Sequence, residues 1–521
     1  MNKMRRIVNS EEMKYVDSQT ICHFKMPSLV LMERAALRIA ENMPEQLSHA
    51  SRVLVVCGNG NNGADGLALA RLLYQQGCEV TVAGLADNGK RTKENQKQRE
   101  ILMKYGLEIH EGFQPCGLAD GKKYDCIVDA LFGVGLSRPL REEAANWVCA
   151  MNELPGYKVA VDMPSGVSSD TGQVCGAAFQ ADLTVTFAYQ KMGQVFYPGC
   201  EKCGKLVIAD IGITDESWLG RLPSGYALEQ KDIQNLMHRP AYSNKGTFGK
   251  VLVIAGSNAM AGAAVFCAKA AYRMGCGLVK ICTPEENRQI LQTVLPEAVL
   301  FVYGSGQDEK FDEEGLGKAL EWADSIALGP GLGTGNQAQH IVQMVLAQAE
   351  APLVIDADAL NILAEHLDWL AEAKTQVVVT PHLGEMARLC KKQISEIQED
   401  LLSVAEEFAE HFGVACVLKD AVTVTISANA VAYFNTSGCS AMAKGGSGDV
   451  LTGMIAALLA QAKHGILELT DIQNNKIDKT DEIAAAGVYI HGLAGEAAAE
   501  KKGCCSVLAS DLIESIGAIL K

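Results

Sequence analysis

Short runs of β-branched and apolar residues alternate with longer stretches of helical periodicity through the first third of the chain, the pattern of a parallel sheet wrapped by helices. These runs predict strands at Arg52–Cys57, Glu79–Ala83, Tyr124–Ala130, Lys158–Asp162, Leu183–Ala188 and Lys205–Asp210. The periodicity lapses through Thr214–Gly225, and a second alternation opens with a strand at Val251–Ala255, so a domain boundary is expected near residues 220–230. Further strands are predicted at Leu278–Cys282, Ser325–Leu328, Leu353–Asp356, Val377–Thr380, Ala415–Leu418, Val422–Ile426 and Val431–Phe434. The last three lie close together, which predicts an antiparallel edge on a mostly parallel sheet. A long helix is expected from Gly448-Asp449, the polar stretch Leu467–Asp481 reads as a surface excursion, and a last helical region begins at Glu482. The fold class is α/β.

The chain has 521 residues, 48% of them hydrophobic, which is ample for more than one core. With 62 acidic residues against 46 basic ones the net charge is −16, a field that repels polyanions and anionic membrane surfaces. No partner role for nucleic acid or membrane is expected. No run approaches the ~18 apolar residues of a membrane span, and the first residues contain no apolar signal core, so a cytoplasmic protein is expected. The seventeen cysteines are scattered among apolar neighbours and read as reduced, packed thiols. The Cys-x-x-Cys at Cys200 and Cys203 lacks a second ligand pair and reads the same way.

Gly58-Asn59-Gly60-Asn61-Asn62-Gly63 matches Gly-x-Gly-x-x-Gly directly after an apolar strand and before the helical pattern Ala64–Gln76. In that context the glycines let backbone approach an anion that faces free amides at a helix N-terminus. Asp129, before Phe132-Gly133-Val134-Gly135, and Asp162, before Pro164-Ser165-Gly166, end two further strands. Carboxyl ends of parallel strands form the ligand crevice, so Asn62, Asp129, Asp162 and Ser165 are expected to converge there. Two carboxylates with an amide suit a hard cation, and helix-cap or turn roles are the bland alternative. Lys191 reads either as a substrate contact or as a solvent-exposed lysine.

Asn-Asn-Gly-Ala-Asp-Gly at 61–66, Asp-Ala-Leu-Phe-Gly-Val-Gly at 129–135 and Asp-Met-Pro-Ser-Gly at 162–166 resemble the NAD(P)H-hydrate epimerases over residues 1–215. The resemblance implies a Rossmann-like three-layer domain, assigned to residues 1–222. It implies hydrate contacts at Asn61, Asn62, Gly63, Ala64 and Asp65 and at Gly133, Val134, Gly135, Leu136, Ser137, Arg138 and Pro139. It also implies potassium held by Asn62, Asp129 and Ser165, with Asp162 beside the substrate as the acid/base. Ala64 stands where the family more often has glycine.

Ala443-Lys444-Gly445-Gly446-Ser447-Gly448-Asp449 opens the long helix, so glycine amides and the positive helix end can form an anion hole beside a carboxylate. That placement suits phosphoryl transfer, and a glycine-rich turn with an acidic cap is the bland alternative. Gly329-Pro330-Gly331-Leu332-Gly333, Asp356–Asn361 and Pro381–Glu385 all follow predicted strands and are expected to share one crevice. A Gly-x-x-x-x-Gly-Lys-Ser/Thr loop is absent from the sequence.

The Gly-Ser-Gly-Asp element resembles the ribokinase-like superfamily. With Lys245–Lys250, Gly329–Gly333 and Pro381–Glu385 it is similar to the ADP-dependent NAD(P)H-hydrate dehydratases over residues 228–521. The resemblance implies a ribokinase-like α/β domain, assigned to residues 223–521, with hydrate contacts at Ala263, Gly331, His382 and Asp449. It implies nucleotide contacts at Lys419, Asp420, Ala421, Val422, Thr423 and Gly448, with Asp449 catalytic, ADP as co-substrate and Mg²⁺ as cofactor. Asn244 stands where the family usually has histidine and Asp420 where it often has glycine, a position at which glycine would permit positive φ.

Together the resemblances imply a metabolite-repair enzyme that interconverts R and S hydrates of NADH and NADPH. The S form is then dehydrated at the expense of ADP, releasing AMP and phosphate. A homo-oligomer is expected. The alternative is a ribokinase-like small-molecule kinase fused to a Rossmann-like binding domain. A dehydrogenase would expect an acidic residue ending the second strand, where Ala83-Gly84 stands with Asp87 beyond.

Overall fold

The computed structural model describes residues 4–520 apart from 46, 48–49, 87–88, 112–122, 137, 235, 305–310, 429 and 469–478. Ser137 and Asp87, and most of the polar excursion expected at Leu467–Asp481, therefore lie outside the described residues. The chain divides into two compact units, one from Arg6 to Ser224 and the other from Gly225 onward together with Met4 and Arg5.

Among the described residues the first unit's main sheet has seven strands, all parallel, in the order Ile109–Glu111, Glu79–Gly84, Arg52–Cys57, Cys126–Ala130, Tyr157–Val161, Leu183–Phe187, Lys205–Ala209. Both faces are covered, which is why the central strands read as continuous apolar runs. Val53, Val55 and Cys57 pack with the helices Ser10–Cys22, Ser28–Asn42 and Asn61–Gln75. Leu54 and Val56 pack with Trp147, Val148 and Met151 of helix Glu142–Glu153. Ile109–Glu111 has no counterpart in the sequence reading because His110 and Glu111 are exposed and carry no apolar signal. Ile7 and Val8 pair in parallel with Gln190 and Lys191, which fixes the backbone that carries Lys191.

The second unit's sheet runs Val299–Tyr303, Leu278–Pro284, Lys250–Ile254, Ser325–Leu328, Leu353–Ile355, Val377–Val379, Ala415–Leu418, Val424–Ile426, Ala432–Phe434, Gly225–Ala227. The strands from Val299–Tyr303 through Ala415–Leu418 are parallel, and Val424–Ile426 is antiparallel to both neighbours. The antiparallel stretch is expected as an edge. Gly225–Ala227 instead adds in parallel beyond it, a three-residue strand too short to show alternation. Val299–Tyr303 is also additional, since a short apolar run cannot be told from buried helix by periodicity alone.

Helix Ser447–Lys463 crosses this sheet, flanked by Ala261–Arg273 and Thr480–Lys502, and buries Val450, Leu451, Met454 and Ile455. In each sheet the chain order reverses beside the unit's first long strand, Arg52–Cys57 or Lys250–Ile254, and the loops at those carboxyl ends form the crevices.

Candidate active sites

In the first unit, helix Asn61–Gln75 starts four residues after Cys57, so its first turn lies at the strand's carboxyl end beside Asp129. Asp129 is completely buried. Its Oδ2 accepts from the Ser165 amide at 2.7 Å, and its Oδ1 accepts from Ser165 Oγ at 2.7 Å and the Leu131 amide at 3.1 Å. Burial pushes Asp129 up to about 6 against those hydrogen bonds. An ideal Cβ on Gly133 would meet Asn62 Oδ1 at 2.9 Å and Asp162 Oδ2 at 3.3 Å, so the bare glycine lets this loop lie close against both side chains. Asn62 Nδ2 is buried without a hydrogen-bond partner.

Asp162 holds φ at +64°, left-handed backbone that is strained for a residue with a side chain. Its Oδ1 accepts from Lys191 Nζ at 2.5 Å, Thr186 Oγ1 at 3.1 Å and the Phe187 amide at 3.2 Å. Lys191 is fully buried and its Nζ also donates to Thr186 Oγ1 and the Phe187 carbonyl. Burial holds the ammonium below its ordinary pKa, with Asp162 opposing. Of the two sequence readings of Lys191, solvent exposure is thereby excluded.

A cavity of about 960 Å³ opens here, lined among others by Asn61, Asn62, Asp65, Gly133, Val134, Gly135, Leu136, Arg138, Pro139, Asp162 and Lys191. Gly63, Ala64, Asp129 and Ser165 are buried, and none of them is among the lining residues. Asp65 and Asp17 also line it. Burial, then the charges of Asp162 and Asp17, push Asp65 well above the carboxylate range, and burial with Asp162 and Glu94 raises Asp17.

In the second unit Asp356 follows strand Leu353–Ile355 and is buried. Its Oδ1 accepts from Lys419 Nζ at 2.8 Å and its Oδ2 from Thr452 Oγ1 at 2.7 Å. Burial alone would raise its pKa, but Lys419 and the hydrogen bonds outweigh it and hold the carboxyl below the usual range. Gly448 lies against this pair, for a Cβ there would sit 3.4 Å from Lys419 Nζ and 3.5 Å from Asp356 Oδ2. Asp449, in the first turn of helix Ser447–Lys463, is pushed up to about 6 by burial and then by Asp356, with Lys419 opposing.

His382 caps helix Leu383–Cys390, its Nδ1 accepting from the Gly384 amide at 2.9 Å and the Glu385 amide at 3.3 Å. Because Nδ1 accepts, the ring proton of the neutral form sits on Nε2. Burial, Lys419 and Arg388 lower the His382 pKa. Its backbone bridges to Lys419. Gly331, at φ +60°, lies where a Cβ would meet Ala263 Cβ at 2.9 Å, and the Gly333 amide donates to Asp358 Oδ2 at 2.8 Å. Asp420 and Ala421 are exposed, and Val422 and Thr423 are buried. Asp420 is not among the residues at positive φ, so the loop keeps a backbone that aspartate adopts without strain.

Residues 251–517 match a family model described as NAD(P)H-hydrate dehydratase, and residues 28–193 match one described as YjeF-related protein N-terminus. The bifunctional NAD(P)H-hydrate repair enzyme Nnr of Moorella thermoacetica is 35% identical, over 99% of this chain and 96% of its own length. The chain belongs to the bifunctional NAD(P)H-hydrate repair enzymes. The enzyme of that name from Escherichia coli K12 is 34% identical over 90% of this chain and 84% of its own. A solved ADP/ATP-dependent NAD(P)H-hydrate dehydratase from Bacillus subtilis, co-crystallized with ATP/Mg²⁺, is 29% identical, covers 56% of this chain and 96% of its own, and has a TM-score of 0.46.

As a member of these repair enzymes the chain carries side chains at its crevices that its sequence did not single out, among them Thr452 and Asp17. Asp356, Lys419 and Thr452 meet from three distant segments, and Asp17 joins Asp65 and Asp162 from the first long helix. Linear spacing holds no signal for either meeting. Cys203 is buried with its Sγ near the Gly199 carbonyl, and among the described residues no group of three His, Cys, Asp or Glu is placed to hold a metal. Among the described residues no helix is long and apolar enough to cross a membrane.

Proposed function

We propose that the unit Arg6–Ser224 epimerises the R and S hydrates of NADH and NADPH, and that the unit from Gly225 onward dehydrates the S hydrate with ADP. The observation that carries this reading is the presence on one chain of two chemically different crevices. One pairs an aspartate with a buried ammonium, and the other sets an aspartate in the first turn of a 17-residue helix beside an aspartate–lysine pair. On this reading the epimerase domain is residues 1–222 and the dehydratase domain 223–521, and the protein works in the cytoplasm as a homo-oligomer.

In the first crevice the hydrated ring sits against Gly133, Val134, Gly135, Leu136, Arg138 and Pro139, with Asn61, Asn62 and Asp65 also lining the cavity. Loss of the ring hydroxyl leaves an iminium, and water returns to either face. Asp162, paired with Lys191, moves the protons. Asn62, Asp129 and Ser165 fit potassium: their donors are a carboxylate, a hydroxyl and an amide, and the buried Asp129 carboxylate is bonded only by neutral groups. Potassium there supplies the balancing positive charge beside the substrate loop.

In the second crevice Asp449 takes the proton of the ring hydroxyl, and that oxygen attacks the β-phosphorus of ADP. The P–O bond to AMP breaks, giving a phosphate ester on the ring. The ester's C–O bond then breaks as the neighbouring carbon gives up a proton, leaving phosphate and NAD(P)H. Helix amides of Ser447 and Gly448 face the transferred phosphoryl, Lys419 to Thr423 hold the nucleotide, and Ala263, Gly331 and His382 hold the hydrate. The mutual repulsion of Asp449, Asp356 and Asp358 is a field that fits a divalent cation carried on the phosphates, and Mg²⁺ there neutralises phosphate charge.

Product analysis tests the reading. One AMP and one phosphate are expected for each NADH restored, and a phosphorylated hydrate that accumulates without NADH would support the kinase alternative.

A further inference from the structure

Helix Ser10–Cys22 buries Met13 and Val16 in the first unit's core and sets Lys14 and Asp17, one turn apart, on the wall of the cavity of about 960 Å³. The start of the helix is fixed from both sides: Asn9 Oδ1 accepts from the Glu12 amide at 2.8 Å, and Glu12 Oε2 accepts from the Asn9 amide at 3.0 Å. Lys14 is exposed, and among the described residues its ammonium has no hydrogen bond or ion pair.

The end of that lysine reaches the loop that carries Gly133 and Gly135. A Cβ on Gly135 would lie 3.2 Å from Lys14 Nζ and 3.4 Å from its Cε, and Gly135 holds φ at +116°, so backbone and ammonium meet with no side chain between them. Two residues earlier, Gly133 lies against Asp162 Oδ2. Two residues of chain span at most ~7 Å, which puts Lys14 and Asp162 at neighbouring points of one wall. In a nicotinamide dinucleotide the ring is one ribose away from the pyrophosphate, and a 2′-phosphate lies a further nucleoside beyond. With the ring at Asp162, the group that reaches Lys14 is the pyrophosphate.

The charges agree with that placement. The ring end is a neutral carboxamide, so phosphates are the only anionic groups the hydrate offers to a lysine. Gly60 and Asn61 at the start of helix Asn61–Gln75 line the same cavity, and a helix N-terminus favours negative charge as well. Arg138 and Arg141 also line it, and among the described residues no carboxylate pairs with either guanidinium. In a chain of net charge −16, three unpaired cations on one cavity favour an anionic ligand.

We propose that Lys14 is a substrate-binding residue of the first unit, its ammonium pairing with the pyrophosphate of the dinucleotide hydrate and so setting the ring against Asp162. This pairing deepens the epimerase reading of the crevice and rests on it.

Lys14→Gln removes the charge and keeps much of the reach, and Lys14→Arg keeps the charge. Epimerisation by the full chain is followed without ADP, by chromatographic separation of the R and S hydrates. In Lys14→Gln the KM for NADH hydrate is expected to rise about threefold to thirtyfold, the range of a charged hydrogen bond at an exposed site, with a smaller change in kcat, an unchanged melting temperature and recovery in Lys14→Arg. NADPH hydrate is expected to show the same factor, and the hydrate of reduced nicotinamide riboside, which has no phosphate, none. An unchanged KM for NADH hydrate, or an equal loss with the riboside hydrate, overturns the proposal. A larger loss with NADPH hydrate than with NADH hydrate moves Lys14 to the 2′-phosphate and overturns it too. Amine-reactive labelling of the full chain, read at Lys14 by mass spectrometry, needs no turnover. NADH hydrate is expected to protect Lys14 and the riboside hydrate to leave it reactive, and no protection by NADH hydrate overturns the proposal. Protection in a chain that does not interconvert the epimers would support the proposal and refute the epimerase reading instead.

Discussion

Lys191 Nζ lies 2.5 Å from Asp162 Oδ1 in the first unit, the lysine wholly buried and the aspartate nearly so. Either charge alone would be costly there, and the pair leaves Oδ2 of the aspartate beside Gly133 on the cavity wall. Lys191→Met strands a buried carboxylate, which typically costs about 3–5 kcal/mol. The expected outcome is a lower melting transition and lost epimerisation, and a variant with wild-type melting and epimerisation would contradict the role given to the pair.

Asp162→Asn retains the shape of the side chain and removes the charge. Epimerisation, followed by chromatographic separation of the R and S hydrates, is expected to fall by about 10²–10⁴, the usual share of a positioned acid/base. Dehydration of purified S hydrate stays at the wild-type rate. If both activities fell together, the two crevices would not be independent sites.

Asp449 gives a pH dependence with a definite sign. Its pKa of about 6 in the folded protein lies above the ordinary 3.8, and a base must be ionised to accept the hydroxyl proton. The kcat/KM for dehydration is expected to level off above about 6 and to drop tenfold per pH unit below it. Because the folded pKa is raised, the contribution to stability is present below the ordinary pKa and lost as pH rises through about 6. Asp449→Asn should therefore lack dehydration yet be more stable by about 1–3 kcal/mol at pH 8, with the difference closing toward pH 4. Denaturant melts at the two pH values check it, and an equal or lower stability at pH 8 would count against a charge-strained base.

The parallel sheets and the glycine-rich strand ends are legible in the sequence because each is a local signal: an apolar run, a turn, then a helix pattern. Asn62, Asp129, Asp162 and Ser165 are legible for the same reason, each standing in or next to such a strand end. The Lys191–Asp162 pair spans 29 residues and the Lys419–Asp356 pair 63, so neither has a spacing to read. Lys14 and Gly135 are far apart in the chain, and only packing shows that both lie on one cavity wall. Short strands such as Gly225–Ala227 carry too few residues to show an alternation of their own and are read only from their pairing.

Potassium should matter to one crevice alone. Replacing it by lithium is expected to slow epimerisation severalfold while dehydration of S hydrate is unaffected, and Asp129→Asn is expected to abolish the difference between the two ions. Equal epimerisation rates of the unaltered protein in potassium and lithium would remove the cation from Asn62, Asp129 and Ser165.

One chain is expected to repair both epimers. Absorbance at 340 nm reports the reduced nicotinamide ring and not its hydrate, so the protein is mixed with an R and S hydrate mixture, ADP, Mg²⁺ and K⁺. Full recovery of absorbance, beyond the share of the S form, is the predicted result. Recovery that stops at the S share would contradict the epimerase assignment, and absorbance that does not rise at all would contradict the dehydratase assignment as well.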